Sequence, residues 1–440
     1  MTNRIFRPDR RELMAGLGAT IVSAALPSMA VAEVRRPLEL QAKADAIALR
    51  PGQADTPIWS LATSTPNGEL RFKRGDALEI GLGNDTASPM ALNWHGLDGV
   101  AAAEPLLAQA ALAPRTKQSV VIPLHCAGTF MLDIRLLADG GGRPSSARAL
   151  IAAESEAIAV DRDEVLLFED WRLRPDGTAV APGTDSKDAM AIYTVNGLRT
   201  LDIPARAGER LRLRFINGFQ RNVIAIKIEN MDMQVMALDG QPSEPFLARN
   251  GALVLAPGGR ADAFIDTAMA PRGVSSILLH DGTEARLIAR LVGSREPPVR
   301  KARLAAAPPL PSNGLPERLD LKSSLRVDLP LNGAQAGWAA PATIAASVTP
   351  AFKVKAGRVV VLALTNHADK ATVFHLHGHH FRLLDRLDDG WKPFWLDTVA
   401  VEPGQTQRVA FAADTAGHWL MEAMATDWAA PRLLRSYLVE

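Results

Sequence analysis

From about Leu38 onward the chain alternates short apolar runs with clusters of Gly, Pro, Asn and Asp, and sustained helical periodicity is scarce. Leu70–Phe72, Ala77–Leu82, Val120–Pro123 and Thr129–Leu136 have strand length and end at turn signals such as Arg74-Gly75-Asp76 and Gly83-Asn84-Asp85. A second series starts near Glu156 and contains Glu164–Trp171, Tyr193–Gly197, Glu209–Asn217 and Gly251–Asp266. A third, from Leu315, repeats the first in outline. There Ala356-Gly357-Arg358, the run Val359–Thr365 and Asn366 parallel Lys73-Arg74-Gly75-Asp76, the run Ala77–Leu82 and Asn84. In both series a His-Gly pair follows the run, His95-Gly96 or His377-Gly378. Many short strands with frequent turns predict an all-β chain of antiparallel sandwiches or barrels. The parallel predicts duplicated units whose histidine segments face one another across an interface, where small sites commonly form.

The 440 residues exceed one ordinary core and divide into units at 33–155, 156–294 and 315–440. Between the second and third, the proline-rich stretch 295–314 is expected to run extended over the surface. Residues 1–32 read as an export signal. Arg10-Arg11 precede the apolar run Leu13–Leu26, and Ala30-Val31-Ala32 supplies small residues for cleavage. Paired arginines there mark the twin-arginine route and a periplasmic destination; a general secretory signal or an uncleaved anchor is the alternative. No later run approaches the roughly 20 apolar residues of a membrane span.

Charge narrows the partners. Lys and Arg total 49 against 48 Asp and Glu, so nothing global favours nucleic acid or an anionic membrane. A single cysteine, Cys126, excludes an intramolecular disulfide and any CxxC motif, and reads as a small buried hydrophobe.

Candidate chemistry concentrates in Val373–Phe381, which holds four of the nine histidines. In an extended strand His375, His377 and His379 share one face while Phe374 and Leu376 take the other. Such a face can present imidazoles to copper, zinc or iron. The competing reading is a polar strand end whose histidines are solvated or satisfied in the core. The second unit has one histidine, His280, which suits a scaffold.

His375-Leu376-His377-Gly378-His379 resembles the third copper signature of the multicopper oxidases, the laccase-like family, and Asn93-Trp94-His95-Gly96 resembles the first. Ala127-Gly128-Thr129-Phe130 is similar to the lead-in to the second, and Gly417-His418-Trp419 to that of the fourth. Asp397-Thr398-Val399 with Pro403-Gly404, Asp239-Gly240 and Leu255–Asp262 are also similar to family segments. The resemblance spans most of the mature chain and implies three consecutive cupredoxin-like domains, Greek-key barrels or sandwiches.

Fully active relatives hold a type 1 copper and a trinuclear cluster on histidines and one cysteine. Here the resemblance places Asn93 at a histidine position of the first signature, with His95 kept. Asp133 and Arg135 take the histidine positions of the second. Thr372 takes the type 1 histidine position of the third, with His375 and His377 kept. Glu422, Ala423 and Met424 take the His-Cys-His of the fourth, and Trp428 its last histidine.

The resemblance therefore implies no laccase-type activity and no expected cofactor. It points to a redox-inactive periplasmic scaffold or interaction protein with an unknown partner in the cell envelope, as in copper-free relatives that serve cell division or envelope integrity. The alternative is a copper- or zinc-binding oxidoreductase with one metal at His95, His375 and His377, and Asp133 as a further candidate ligand. Arg135 is expected to pair with Glu422 or Asp133 where copper would sit, and Trp428 and Ala423 to fill the type 1 position. His125, His280, His367 and His418 read as structural or solvated, and His379 as a support for the site.

Overall fold

The computed structural model describes residues 34–64, 69–302, 304–333, 336–344, 349–385 and 390–440. The export-signal reading lies outside them. Among the described residues no helix is long and apolar enough to cross a membrane. The chain is all-β, arranged as three consecutive two-sheet sandwiches.

In the first, the sheet of Thr56–Thr63, Val34–Ile47, Asp76–Asn84 and Lys117–Pro123 lies over that of Leu70–Lys73, Arg148–Ala153, Gly128–Asp133 and Asn93–His95. Leu38, Leu78, Ile80, Leu82, Leu132 and Leu150 close the space between them. The middle sandwich packs a six-stranded sheet on a five-stranded one around Phe168, Phe215, Ile226 and Ile277. In the third, Leu325–Pro330, Arg358–Thr365, Thr406–Ala413 and Arg382–Leu383 face Lys353–Val354, Arg432–Val439, Gly417–Ala425, Thr372–Leu376 and Thr398–Val401.

The first and third sandwiches share one wiring. Val34–Ile47 runs parallel to Asp76–Asn84 as Leu325–Pro330 runs parallel to Arg358–Thr365. Leu70–Lys73 runs parallel to Arg148–Ala153 as Lys353–Val354 does to Arg432–Val439. Register extends the likeness to single residues. Asn93 pairs across its ladder with Asp133, and His375 pairs with Glu422. Two residues further, His95 and His377 each precede a glycine in the left-handed region, Gly96 at φ +99° and Gly378 at φ +72°. The repeat expected from the sequence is thus real down to the site residues.

Strand periodicity explains why these residues face inward. Along Gly128–Asp133, Phe130 and Leu132 fill their own core, so Met131 and Asp133 point across to the neighbouring sandwiches. Along Gly417–Ala425, Trp419 and Met421 fill the third core, and Leu420 and Glu422 turn outward from it. Both strands are buried on both faces, so the outward face is an interface and not a surface.

Buried ion pairs cross these interfaces. Arg260 of the middle sandwich binds Asp397 of the third at 2.8 Å, and Arg221 binds Asp139 of the first at 2.7 Å. The proline-rich segment carries no strand among its described residues and is docked. Ala307 and Leu310 are buried against Met236 and Phe264, and the Asn313 side-chain amide donates to the Ala127 carbonyl at 2.8 Å.

Candidate functional site

Facing strands of the first and third sandwiches bring the His95 and His375 rings to 4.3 Å between centroids, and His377 lies 4.8 Å from His375. The three histidines do converge. Ligand atoms of His95, His375 and Glu422 all fall within 4.8 Å of one another. Between them, with Asp133, Met424 and Arg432 in the wall, is a cavity of about 20 Å³. That is room for about one water or one ion.

His377 is held differently from the other two. Its Nδ1 is 2.9 Å from Glu104 and its Nε2 2.9 Å from Glu422, so both ring nitrogens donate to carboxylates. Burial alone would lower its pKa, but Glu104 and Glu422 outweigh burial and raise it to about 10. At neutral pH it is a clamped imidazolium with no free lone pair. Glu422 in turn accepts from Asn93 Nδ2 at 3.0 Å, from His377 and from the Arg432 guanidinium. Burial raises its pKa, and Arg432 followed by His377 more than reverse that, holding it well below the ordinary glutamate range.

His375 is neutral. Burial, then the neighbouring His95, lower its pKa to about 3. The Thr398 hydroxyl donates to Asp397, so its oxygen accepts from His375 Nδ1–H at 3.0 Å. Nε2 then carries the lone pair. His95 sets its Nε2 3.7 Å from Asp133, and its buried Nδ1 has no hydrogen-bond partner.

Gly258, at φ +86°, lies on the His95 ring; a Cβ there would come within 2.6 Å of Nδ1. Gly258→Ala is expected to cost about 1–3 kcal/mol and to displace the ring. Urea unfolding and the His95 imidazole NMR signals check this, and an unshifted ring would show that the contact is not binding.

Arg135 does not make the expected pair. Its guanidinium donates to the Ser145 carbonyl at 3.0 Å, the Gly218 carbonyl at 2.7 Å and Glu169 at 3.0 Å. Only its backbone N–H reaches Asp133, at 2.9 Å. It lies past the end of the Gly128–Asp133 strand, where the chain turns toward the middle sandwich and the buried Glu169 needs a cation. The cation on Glu422 is Arg432, from the last strand.

The expected face holds for His375 and His377 but not for His379. The positive φ of Gly378 breaks the alternation and turns His379 into the third core, against Phe411 and Trp419, with Nδ1 2.7 Å from the Tyr437 hydroxyl. His380 donates from Nδ1 to Asp98 at 2.7 Å and from Nε2 to the Asp239 carbonyl at 2.8 Å. Trp428 is buried, donates its indole N–H to the Ala181 carbonyl at 3.2 Å and stacks under the Arg172 guanidinium. Thr372 and Ala423 are buried too. Cys126, partly buried, lies in the first sandwich beside Gln241, and burial pushes its thiol up to about 12.

Sequence reasoning missed Arg432, Glu104 and Asp98. Arg432 had one faint signal: a basic residue opening the otherwise mostly apolar run Arg432–Val439, directly across the ladder from Met424.

Residues 161–284 and 320–440 each match a family model described as multicopper oxidase. Among curated relatives, the multicopper oxidase MmcO of Mycobacterium tuberculosis is 24% identical over 464 residues, covering 92% of this chain and 88% of its own. The solved multi-copper oxidase of Pseudomonas thermotolerans superposes with a TM-score of 0.77 at 23% identity, covering 93% of this chain and all of its own. Lac15, from a marine microbial metagenome, gives 0.75 at 24%, covering 92% and 100%.

Proposed function

This chain belongs to the multicopper oxidase family, and on that premise we propose that it keeps the family fold as a redox-inactive interaction protein of the periplasm, with a protein partner in the cell envelope. The segment 1–32 would carry it there by the twin-arginine route. The observation that supports this reading best is the state of Glu422. At the centre where the signatures meet, that carboxylate is already neutralised by Arg432 and His377 and further bonded by Asn93. The carboxylate nearest the cavity is thus answered by the chain's own cations.

The donor set argues the same way. At the remaining ligand positions of the family stand an amide, a guanidinium, a thioether, a hydroxyl, an indole and a methyl, on Asn93, Arg135, Met424, Thr372, Trp428 and Ala423, with one further carboxylate on Asp133. Cys126 supplies no thiolate there. These groups do not fit a type 1 copper or a three-copper cluster, and blue-copper chemistry depends on a cysteine sulfur.

A second reading rests on His95, His375 and Glu422, whose ligand atoms are close enough for one ion, with the unpartnered His95 Nδ1 beside them. Two imidazoles and a carboxylate suit zinc or copper, and Arg432 opposes either. Elemental analysis of the protein exported by its own host, with a visible spectrum after copper addition, separates the readings. The expected result is far less than one metal per chain and no blue band. One equivalent of zinc or copper without a blue band would favour the second reading, and several coppers with a blue band would overturn both. His375→Ala should leave cross-linking to the envelope partner unchanged; a loss of cross-linking would tie the centre to the interaction.

A further inference from the structure

The five-stranded sheet of the middle sandwich runs, in order, Leu201–Ala205, Ala285–Gly293, Val274–His280, Ile224–Ile228 and Ala252–Leu255. Alternation sends Ile226, Ile228, Ile277 and Leu279 into the core and the residues between them outward. The outward face is apolar where other sandwiches carry charge. Val254, Val274 and Leu287 are 69%, 55% and 45% exposed. Leu287 lies across its ladder from Leu278, Val292 from Val274, and Val254 from Ala225. On the outer sheets of the first and third sandwiches, exposed strand positions are instead held by Glu39, Glu79 and Lys117, and by Arg326 and Asp328. We infer that the apolar face docks a second copy of this chain, the two sheets packing face to face about a two-fold axis.

Charge selects that occupant. Lys227 is exposed in the middle of the face, across its ladders from Leu278 and Ala252. Two residues on, the Glu229 N–H donates to the Ser276 carbonyl at 2.9 Å, which continues the ladder and turns Glu229 to the same side. Neither side chain forms an ion pair among the described residues. Arg290 and Asp202, also on this face, already bind each other at 2.7 Å. One free cation and one free anion, two residues apart on one strand, are complementary to the same pair in reverse. A two-fold axis lying in the contact plane and crossing the strand at Ile228 sets Lys227 against Glu229 of the partner copy, and Glu229 against the Lys227 of the partner copy. An acidic or a basic partner would meet one like charge, and a wholly apolar one would leave both charges unpaired.

Size sets the strength. Five strands about 4.8 Å apart, with about seven residues rising about 3.3 Å each, give a planar footprint of roughly 400–500 Å² per copy. A standard interface covers about 800 Å² per partner, so this dimer is weak, with a dissociation constant of about 10–100 µM. Docking here does not depend on what the central histidines hold.

Sedimentation equilibrium of the purified chain at pH 8 tests the inference. It should show one chain mass at about 1 µM and a growing share of two toward about 300 µM. Leu278→Asp, which puts a charge into the middle of the contact, should leave one mass throughout. Lys227→Glu and Glu229→Lys should each weaken association at least about tenfold, because like charges then meet. Mixing those two variants in equal amounts should restore two masses, since each brings the charge that the other lacks. A chain that stays monomeric to about 300 µM, a dimer indifferent to Leu278→Asp, or charge variants that do not complement each other would overturn the inference.

Discussion

Replacing Arg432 by methionine is expected to lower the stability of the fold by about 3–5 kcal/mol at neutral pH, the cost of breaking a buried ion pair from one side. Arg432 is 5% exposed and its guanidinium binds Glu422. Asp133 is a second carboxylate that benefits from it. Without Arg432, the acids Glu104, Glu422 and Asp133 would face one certain cation, His377, already divided between two of them. Methionine keeps the volume of the side chain and removes the charge, so the loss reports electrostatics and not a cavity. Urea unfolding of Arg432→Met measures it. The double substitution with Glu422→Gln should recover most of the loss, because the stranded carboxylate is then gone. Arg432→Met should also raise zinc affinity at His95, His375 and Glu422, since a competing cation has left. A loss below about 1 kcal/mol would put the pair among surface-like contacts and remove the main support for a Glu422 neutralised without metal.

The second large effect is the dependence of stability on pH. His377 and His380 are raised from an ordinary 6.5 to about 10 and about 9; burial lowers both, and Glu104 with Glu422, or Asp98 with Asp397, outweigh it. The unfolded chain loses these protons above about 6.5 while the fold keeps them. Their contribution is therefore full below about pH 6.5 and is lost as pH rises through 9 and 10. His375 and His379 go the other way, lowered chiefly by burial to about 3 and about 4. As pH falls below about 6.5, the unfolded chain takes up protons that these buried rings refuse, so stability falls on that side too. Depressed Glu422, Asp133 and Asp397 steepen the acid limb, and Asp239, raised to about 6 by burial and Asp397, offsets part of it. The expected profile peaks near pH 6.5 and loses at least about 3 kcal/mol on the alkaline side. Unfolding midpoints across about pH 5 to 10 test this. His377→Gln should remove a large part of the alkaline slope; an unchanged slope would mean that the imidazolium is not clamped as described.

How much of this was readable in advance depends on whether one strand or two had to be known. Alternation along a strand is local, so the all-β sandwiches and the parallel between the His95-Gly96 and His377-Gly378 segments followed from spacing, whereas the meeting of His95, His375 and His377 was an expectation from the repeat and the resemblance that only the structure could show. Pairing between distant strands is not local. Arg135 was a reasonable cation for Glu422, but the choice was among carboxylates brought in by three sandwiches, and Glu169 lay nearer. Arg432 was hidden because its partner is set by the ladder between Gly417–Ala425 and Arg432–Val439, whose register the sequence does not display. His379 failed for a local reason: one glycine at positive φ reversed the face two residues after His377.

The crossing of those last two strands has a consequence for synthesis. Glu104, His95 and Asp133 are made early, and their partners on the third sandwich come some 300 residues later. As the chain leaves the ribosome, the first two sandwiches can close while the face carrying these acids and His95 is still bare. It is sealed only when the final hairpin folds and Arg432 docks. Closure of the centre therefore waits on the last strand: a chain stalled before residue 432 keeps Glu422 and Asp133 without the Arg432 guanidinium that faces them.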